Sequence, residues 1–140
     1  MAGRAVVIHS LAHARAALRA AAAHGVPVTL LSGPGAAGYA GPEWFRQLIA
    51  AATAEYPAAQ VTAVLDCGAA PGHALAALRA GLKAIRFEAD PAVANRIAEL
   101  AAHYGARVAP AFGDALDLAA AIDPDAACHA WLGAGAKARS

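Results

Sequence analysis

His24-Gly25-Val26-Pro27-Val28-Thr29-Leu30-Leu31 closes an alanine-rich helical stretch with a glycine and moves at once into an apolar, β-branched run. The glycine is expected there because the residue after a helix commonly takes a left-handed conformation that a Cβ disfavours. The same unit returns in Ala80-Gly81-Leu82-Lys83-Ala84-Ile85-Arg86-Phe87 and in Tyr104-Gly105-Ala106-Arg107-Val108. Helix starts are marked as well. Asp90-Pro91 opens a stretch with Val93, Ile97, Leu100 and Tyr104 on one face, Pro42 precedes Trp44, Phe45, Leu48 and Ile49, and Pro71 precedes Leu75, Leu78 and Leu82. The resulting order is strands over 4–8, 26–31, 61–66, 83–87 and 106–109, and helices over 11–24, 42–55, 71–80, 91–104 and 114–122. Strands alternating with helices predict an α/β domain with a five-stranded parallel sheet and right-handed crossovers. A domain over 1–124 is followed by an Ala/Gly-rich tail over 125–140, read either as a short docked helix around Trp131 and Leu132 or as a frayed end.

Composition narrows the function classes. The net charge is +1 and no basic run or basic–aromatic interleaving occurs, so the chain carries no electrostatic footprint for nucleic acid. Alanine makes up about a third of the 140 residues, and Pro, Gly or charge interrupts each long apolar run before it reaches membrane-spanning length. No membrane partner is expected. Cys67 and Cys128 lack CxxC spacing, and Met1-Ala2-Gly3-Arg4 leads straight into the strand-like Ala5-Val6-Val7-Ile8 without a signal segment. A reduced, cytoplasmic protein is expected.

Parallel sheets carry their functional groups at the carboxyl ends of the strands. That geometry nominates His9-Ser10, Ser32-Gly33, Asp66-Cys67, Glu88, Asp90 and the surroundings of Phe112-Gly113-Asp114. The loop Ser32-Gly33-Pro34-Gly35-Ala36-Ala37-Gly38-Tyr39-Ala40-Gly41 could offer backbone N–H groups to a phosphate ahead of helix 42–55. It lacks the lysine of a P-loop and the compact spacing of a dinucleotide fingerprint, and its glycines could simply permit a βα turn. Asp66 either works as an acid/base or caps the Gly68–Pro71 turn. Cys67 reads as a small buried hydrophobe, because no neighbour in sequence supplies the positive charge that forms a thiolate. His9 and His73 could approach Cys67, but no metal-ligand spacing supports a site there, and His13, His24 and His103 read as structural helix residues. No metal site and no cofactor are expected.

The motifs in order, Ser32 with Gly35-Ala36-x-x-Tyr39-x-Gly41, then Val64-Leu65-Asp66-Cys67-Gly68, then Ala77-Leu78-Arg79-Ala80-Gly81-Leu82 leading to Glu88, then Asn95 and Ala102-His103-Tyr104-Gly105, resemble the first half of the class II fructose-bisphosphate aldolases. That resemblance implies part of a zinc-dependent (β/α)8 barrel, half of a TIM-type barrel, since a whole one needs about 250 residues. A flavodoxin-like doubly wound sheet is the alternative fold. The family's third strand ends in His-Leu-Asp-His-Gly, with the Asp as acid/base and the second His on zinc, so the resemblance puts the acid/base at Asp66 and replaces the ligand by Cys67. Its fifth strand reads Val-Glu-Ala-Glu-Leu-Gly, whereas this chain has Val108-Ala109-Pro110-Ala111-Phe112-Gly113 and neither glutamate. Zinc catalysis commonly needs three protein ligands and an open position, and that set does not assemble here.

The leading expectation is therefore a degenerate, non-catalytic relative that binds a small molecule, a phosphate or a protein partner through Ser32, Gly33, Gly35, Asp66, Cys67 and Glu88. A lyase or isomerase acting on a small carbonyl or phosphorylated compound, with Asp66 as acid/base, is the enzymatic alternative. A structural subunit pairing with an aldolase-like partner is a third. A two-fold homodimer is expected, because strands from part of a barrel leave a face that another copy can cover.

Overall fold

The computed structural model describes residues 3–139. Among them, strands and helices alternate as β1 (Arg4–Ile8), α1 (Leu11–His24), β2 (Val28–Ser32), α2 (Ala36–Tyr39), α3 (Pro42–Glu55), β3 (Val61–Asp66), α4 (Pro71–Arg79), β4 (Ala84–Arg86), α5 (Pro91–His103), β5 (Arg107–Val108), β6 (Ala115–Asp117), a 3-10 turn (Leu118–Ala120) and α6 (Pro124–Arg139). This is the expected parallel α/β class. Two compact units can be distinguished, one comprising the chain up to Leu31, Leu48–Thr62 and the chain from Phe112, the other Ser32–Gln47 and Ala63–Ala111.

In the first unit the strand order is β2-β1-β6. β1 and β6 run parallel with Ala5 opposite Ala115, Val6 opposite Leu116 and Val7 opposite Asp117. Helix α1 starts at Ser10, whose hydroxyl accepts the His13 N–H, and stops at Gly25, whose φ of +63° lets its N–H close on the carbonyls of Ala21 and Ala22. Its buried side is Ala14, Ala16, Ala17, Leu18, Ala20 and Ala21, and small side chains of this kind let α6 lie close along it. Helix α6 is anchored by Trp131, which donates its indole N–H to the Ala5 carbonyl at 3.1 Å, while the Arg4 guanidinium lies 3.3 Å from the ring centre and donates to the Trp131 carbonyl. Cys128 and Leu132 of α6 are buried with Val6, Ile8, Leu18 and Leu118.

In the second unit the order is β5-β4-β3, all parallel, with Leu65 opposite Ile85, Asp66 opposite Arg86, and Ile85 opposite Val108. Its core holds Phe45 of α3, Val64, Leu65, Leu78, Ile85, Phe87 and Ile97. Helices α4 and α5 both begin with proline at the first helical position, as the sequence signals require.

Two expectations are corrected, the helix over 114–122 and the start of β2, and one alternative is decided. The sheet elements number six among the described residues, because the stretch read as a helix over 114–122 is β6 followed by the 3-10 turn. Leu116 and Leu118 alternate with polar Asp117 at strand spacing, and Asp117 caps the turn by accepting the Ala119 N–H at 2.9 Å. Of the two readings of the segment after Pro124, the structure bears out the helix, which runs through Arg139. Strand β2 begins at Val28 rather than at 26, with the Val28 N–H bonded to the Gln60 carbonyl and Pro27, which has no N–H to donate, outside it.

Candidate functional site

The carboxyl ends of β2, β3 and β4 in the second unit carry the predicted residues. Ser32 ends β2 and is 1% exposed. Its hydroxyl accepts the Asp66 N–H at 2.8 Å and donates to the Gly33 carbonyl at 3.2 Å. Asp66 ends β3, and its Oδ1 accepts the N–H of Gly35 at 3.0 Å and of Gly68 at 2.9 Å. Both glycines sit at positive φ, +70° and +59°, the left-handed conformation that turns each N–H toward the carboxylate. Ser32, Gly33, Gly35 and Asp66 thus form one hydrogen-bonded group.

Cys67 belongs to this group through its backbone and not through its thiol. Its N–H donates to the Arg86 carbonyl, its side chain is 1% exposed, and its Sγ lies 3.7 Å from the Leu65 carbonyl. Burial, reinforced by the charge of Asp66, pushes the thiol up to about 12. Cys67 is therefore a protonated, buried group at neutral pH.

Glu88 comes next to Asp66 by a different route: its N–H donates to the Gly68 carbonyl, and its carboxylate, 74% exposed, pairs with Arg86. Arg86 was absent from the sequence-based candidates. Its side chain is only 15% exposed and is held by a 2.7 Å bond from Nη1 to the Ala109 carbonyl. Asp66, Gly68, Ala69, Arg86 and Glu88 line a cleft of about 390 Å³. Two carboxylates accept and one fixed guanidinium donates, which suits a small ligand rich in hydroxyl or carbonyl groups. A strand position with apolar neighbours gave no signal for Arg86; its register opposite Asp66 is visible only in the pairing.

The other histidines lie elsewhere. The His73 ring packs against Gly38, where a Cβ would come within 2.7 Å of it. In the first unit His9 pairs with Asp117 at 2.7 Å, and the His9 N–H donates to His13 Nδ1. Burial, then the neighbouring His9, lowers the His13 pKa. Burial works against ionisation of Asp117, but the Ala119 N–H and His9 hold its carboxyl below the usual range. Asp117 escaped the sequence reading because its segment was assigned to a helix.

A catalytic zinc ion does not fit these residues. Cys67, which stands where the resemblance puts a zinc-ligating histidine, points its protonated thiol into the interior, and among the described residues no three His, Cys, Asp or Glu side chains gather as metal ligands would.

Comparison with known proteins adds the following. The model of the class II fructose-bisphosphate aldolase family matches residues 1–108. The fructose-bisphosphate aldolase of Xanthobacter flavus is 33% identical over 81 residues, a match covering 58% of this chain and 23% of that protein. The chain thus matches less than a quarter of the length of this curated relative.

Proposed function

The chain belongs to the class II fructose-bisphosphate aldolase family, and from that membership we propose that it is a degenerate, non-catalytic member that binds a small polar ligand at the strand ends around Ser32, Gly33, Gly35, Asp66 and Glu88. The observation that carries this reading is the engagement of Asp66. The residue aligned with the family's acid/base has one carboxylate oxygen bound to the backbone N–H groups of Gly35 and Gly68, beside a Cys67 that cannot act as a zinc ligand without leaving the core. What remains at the rim is recognition chemistry, with Arg86 as a donor and Glu88 as an exposed acceptor.

The proposal assigns the aldolase-like part to residues 1–124, and the protein to the cytoplasm as a two-fold dimer. Two free cysteines support a reducing compartment. No described helix is long and apolar enough to cross a membrane. The test is direct: the purified protein is incubated with fructose 1,6-bisphosphate with and without added zinc and assayed for triose phosphates. No cleavage is expected. Zinc-dependent cleavage that Asp66→Ala abolishes would establish the enzymatic alternative instead. Crystal soaking with phosphate and small sugars completes the test, with density expected over Ser32, Gly33 and Asp66; density only at the opposite ends of the strands would overturn the placement.

A further inference from the structure

We propose that Ser10 and His13 form a pH-sensitive cap that latches the start of α1 to the end of β1 near neutral pH and releases it when His13 takes up a proton. Ser10 is the N-cap of α1, and its hydroxyl accepts the His13 N–H at 3.1 Å. His13, three residues further on, returns the contact, since its Nδ1 accepts the His9 N–H at 3.1 Å. Two backbone donors at the helix start are thereby satisfied by two side chains, a reciprocal arrangement in which glutamate or glutamine normally stands third after the cap. Here the returning bond reaches the residue before the cap, which directly follows the last residue of β1, Ile8. A glutamine accepts such an N–H at any pH. An imidazole accepts it at Nδ1 only while it is neutral, with its proton on Nε2.

A protonated His13 ring has no lone pair left at Nδ1, so the His9 N–H loses its acceptor and two N–H groups face each other. The new charge also stands in the first turn of α1, where the helix dipole already presents its positive end. The ring is half-buried and edge-on to His9, with the ring centres 5.8 Å apart. Burial, then the charge of His9, lowers the His13 pKa, while Asp117 acts in the opposite direction. The folded chain therefore takes this proton less readily than the unfolded one, and the stability held above the ordinary histidine value of about 6.5 is lost as the pH falls through and below it. His9 responds in the other sense. Its Nε2 is bonded to Asp117 at 2.7 Å, and a proton on His9 adds charge to that bond. The remaining charges on the packed elements are engaged elsewhere: Arg15 pairs with Glu55, Arg19 with Asp125 of α6, Asp123 accepts the Ala126 N–H, and Arg4 of β1 lies on Trp131. Asp114 precedes β6 at the end that is paired with the start of β1. In acid, His9 tightens on β6 while His13 lets go of His9. The cap belongs to the first unit and uses none of the residues proposed to bind a ligand.

The test compares thermal unfolding of the full chain with that of His13→Gln between about pH 8 and about pH 5, a window that spans histidine titration and stays above that of ordinary carboxylates. The wild type is expected to lose at least about 3 °C of melting temperature across the window, the shift that loss of one hydrogen bond brings in a chain of this size. His13→Gln keeps an acceptor at the same position without titrating, so it should lose less than half as much. Hydrogen exchange of the His9 amide, followed by NMR on the wild type, gives a local measure. Corrected for the intrinsic rate, its protection should be at least about fivefold lower at the acid end of the window. His103→Gln, at the end of α5, should keep the wild-type loss. The proposal is overturned if the wild type keeps its melting temperature, if His13→Gln loses as much as the wild type, or if His103→Gln removes the loss. Equal protection of the His9 amide at both ends of the window overturns it as well.

Discussion

The Asp66 carboxylate joins two glycine turns, one from the loop after β2 and one from the loop after β3. Replacing it by alanine leaves the Gly35 and Gly68 N–H groups without their acceptor in a half-buried position, at a cost of about 1–3 kcal/mol. Asp66→Asn keeps an oxygen in the same place and loses only the charge-assisted part of the two bonds, about 1 kcal/mol. Urea unfolding of the two variants checks this order, and equal losses would mean that the carboxylate does not hold the turns. The residue itself was legible in the sequence, since a short acidic side chain at a strand end before Gly68 reads as a turn cap as readily as an acid/base. Its second partner was not. Gly35 lies 31 positions away, and only the fold brings that loop to Asp66. Arg86 was hidden for a related reason, because a positive charge in a short strand becomes a site residue only through the register that sets it opposite Asp66.

At the scale of elements, what the chain states locally it states clearly. Gly25 past α1 and proline at the start of α4 and α5 act within a few residues, and the elements they bound match the sequence reading closely. Strand β6 depends on pairing with β1, more than 100 positions earlier in the chain, and a three-residue segment has no periodicity strong enough to announce that partner. Helix α6 is similar. Its alanines and glycines give a weak apolar stripe, and its place is fixed by Trp131, whose indole donates to Ala5 and whose ring carries the Arg4 guanidinium. Trp131→Ala should therefore destabilise the protein by about 3 kcal/mol. Trp131→Phe, which keeps a ring for Arg4 and loses the indole donor, should cost about 1 kcal/mol. Thermal or urea unfolding measures both, and a negligible effect of the alanine variant would show that α6 is held by its alanine contacts to α1 alone.

For the whole molecule the open question is what covers the strands, since parallel strands are normally buried on both faces. Along β1, the successive residues Val6, Val7 and Ile8, which point alternately to opposite faces, are all buried, and so are Val28, Thr29 and Leu30 of β2. Cover is thinner in the second unit. Val64 and Leu65 of β3 are buried, but Ala63 is half-buried, Val108 of β5 is half-buried and Arg107 is exposed. Strand β6 at one end of the first unit's strands and β5 at one end of the second unit's, with three and two residues, are too short to recruit another strand edge to edge. Association by strand addition is thereby disfavoured, and packing of side chains across a symmetric interface is the remaining way to cover what one copy leaves open. Closed two-fold dimers are the commonest assemblies that satisfy this. Light scattering at micromolar concentration should accordingly give twice the 13.9 kDa chain mass. A monomer mass that persists on concentration would mean that the half-covered strands are stable as they stand, and that the proposed dimer is wrong.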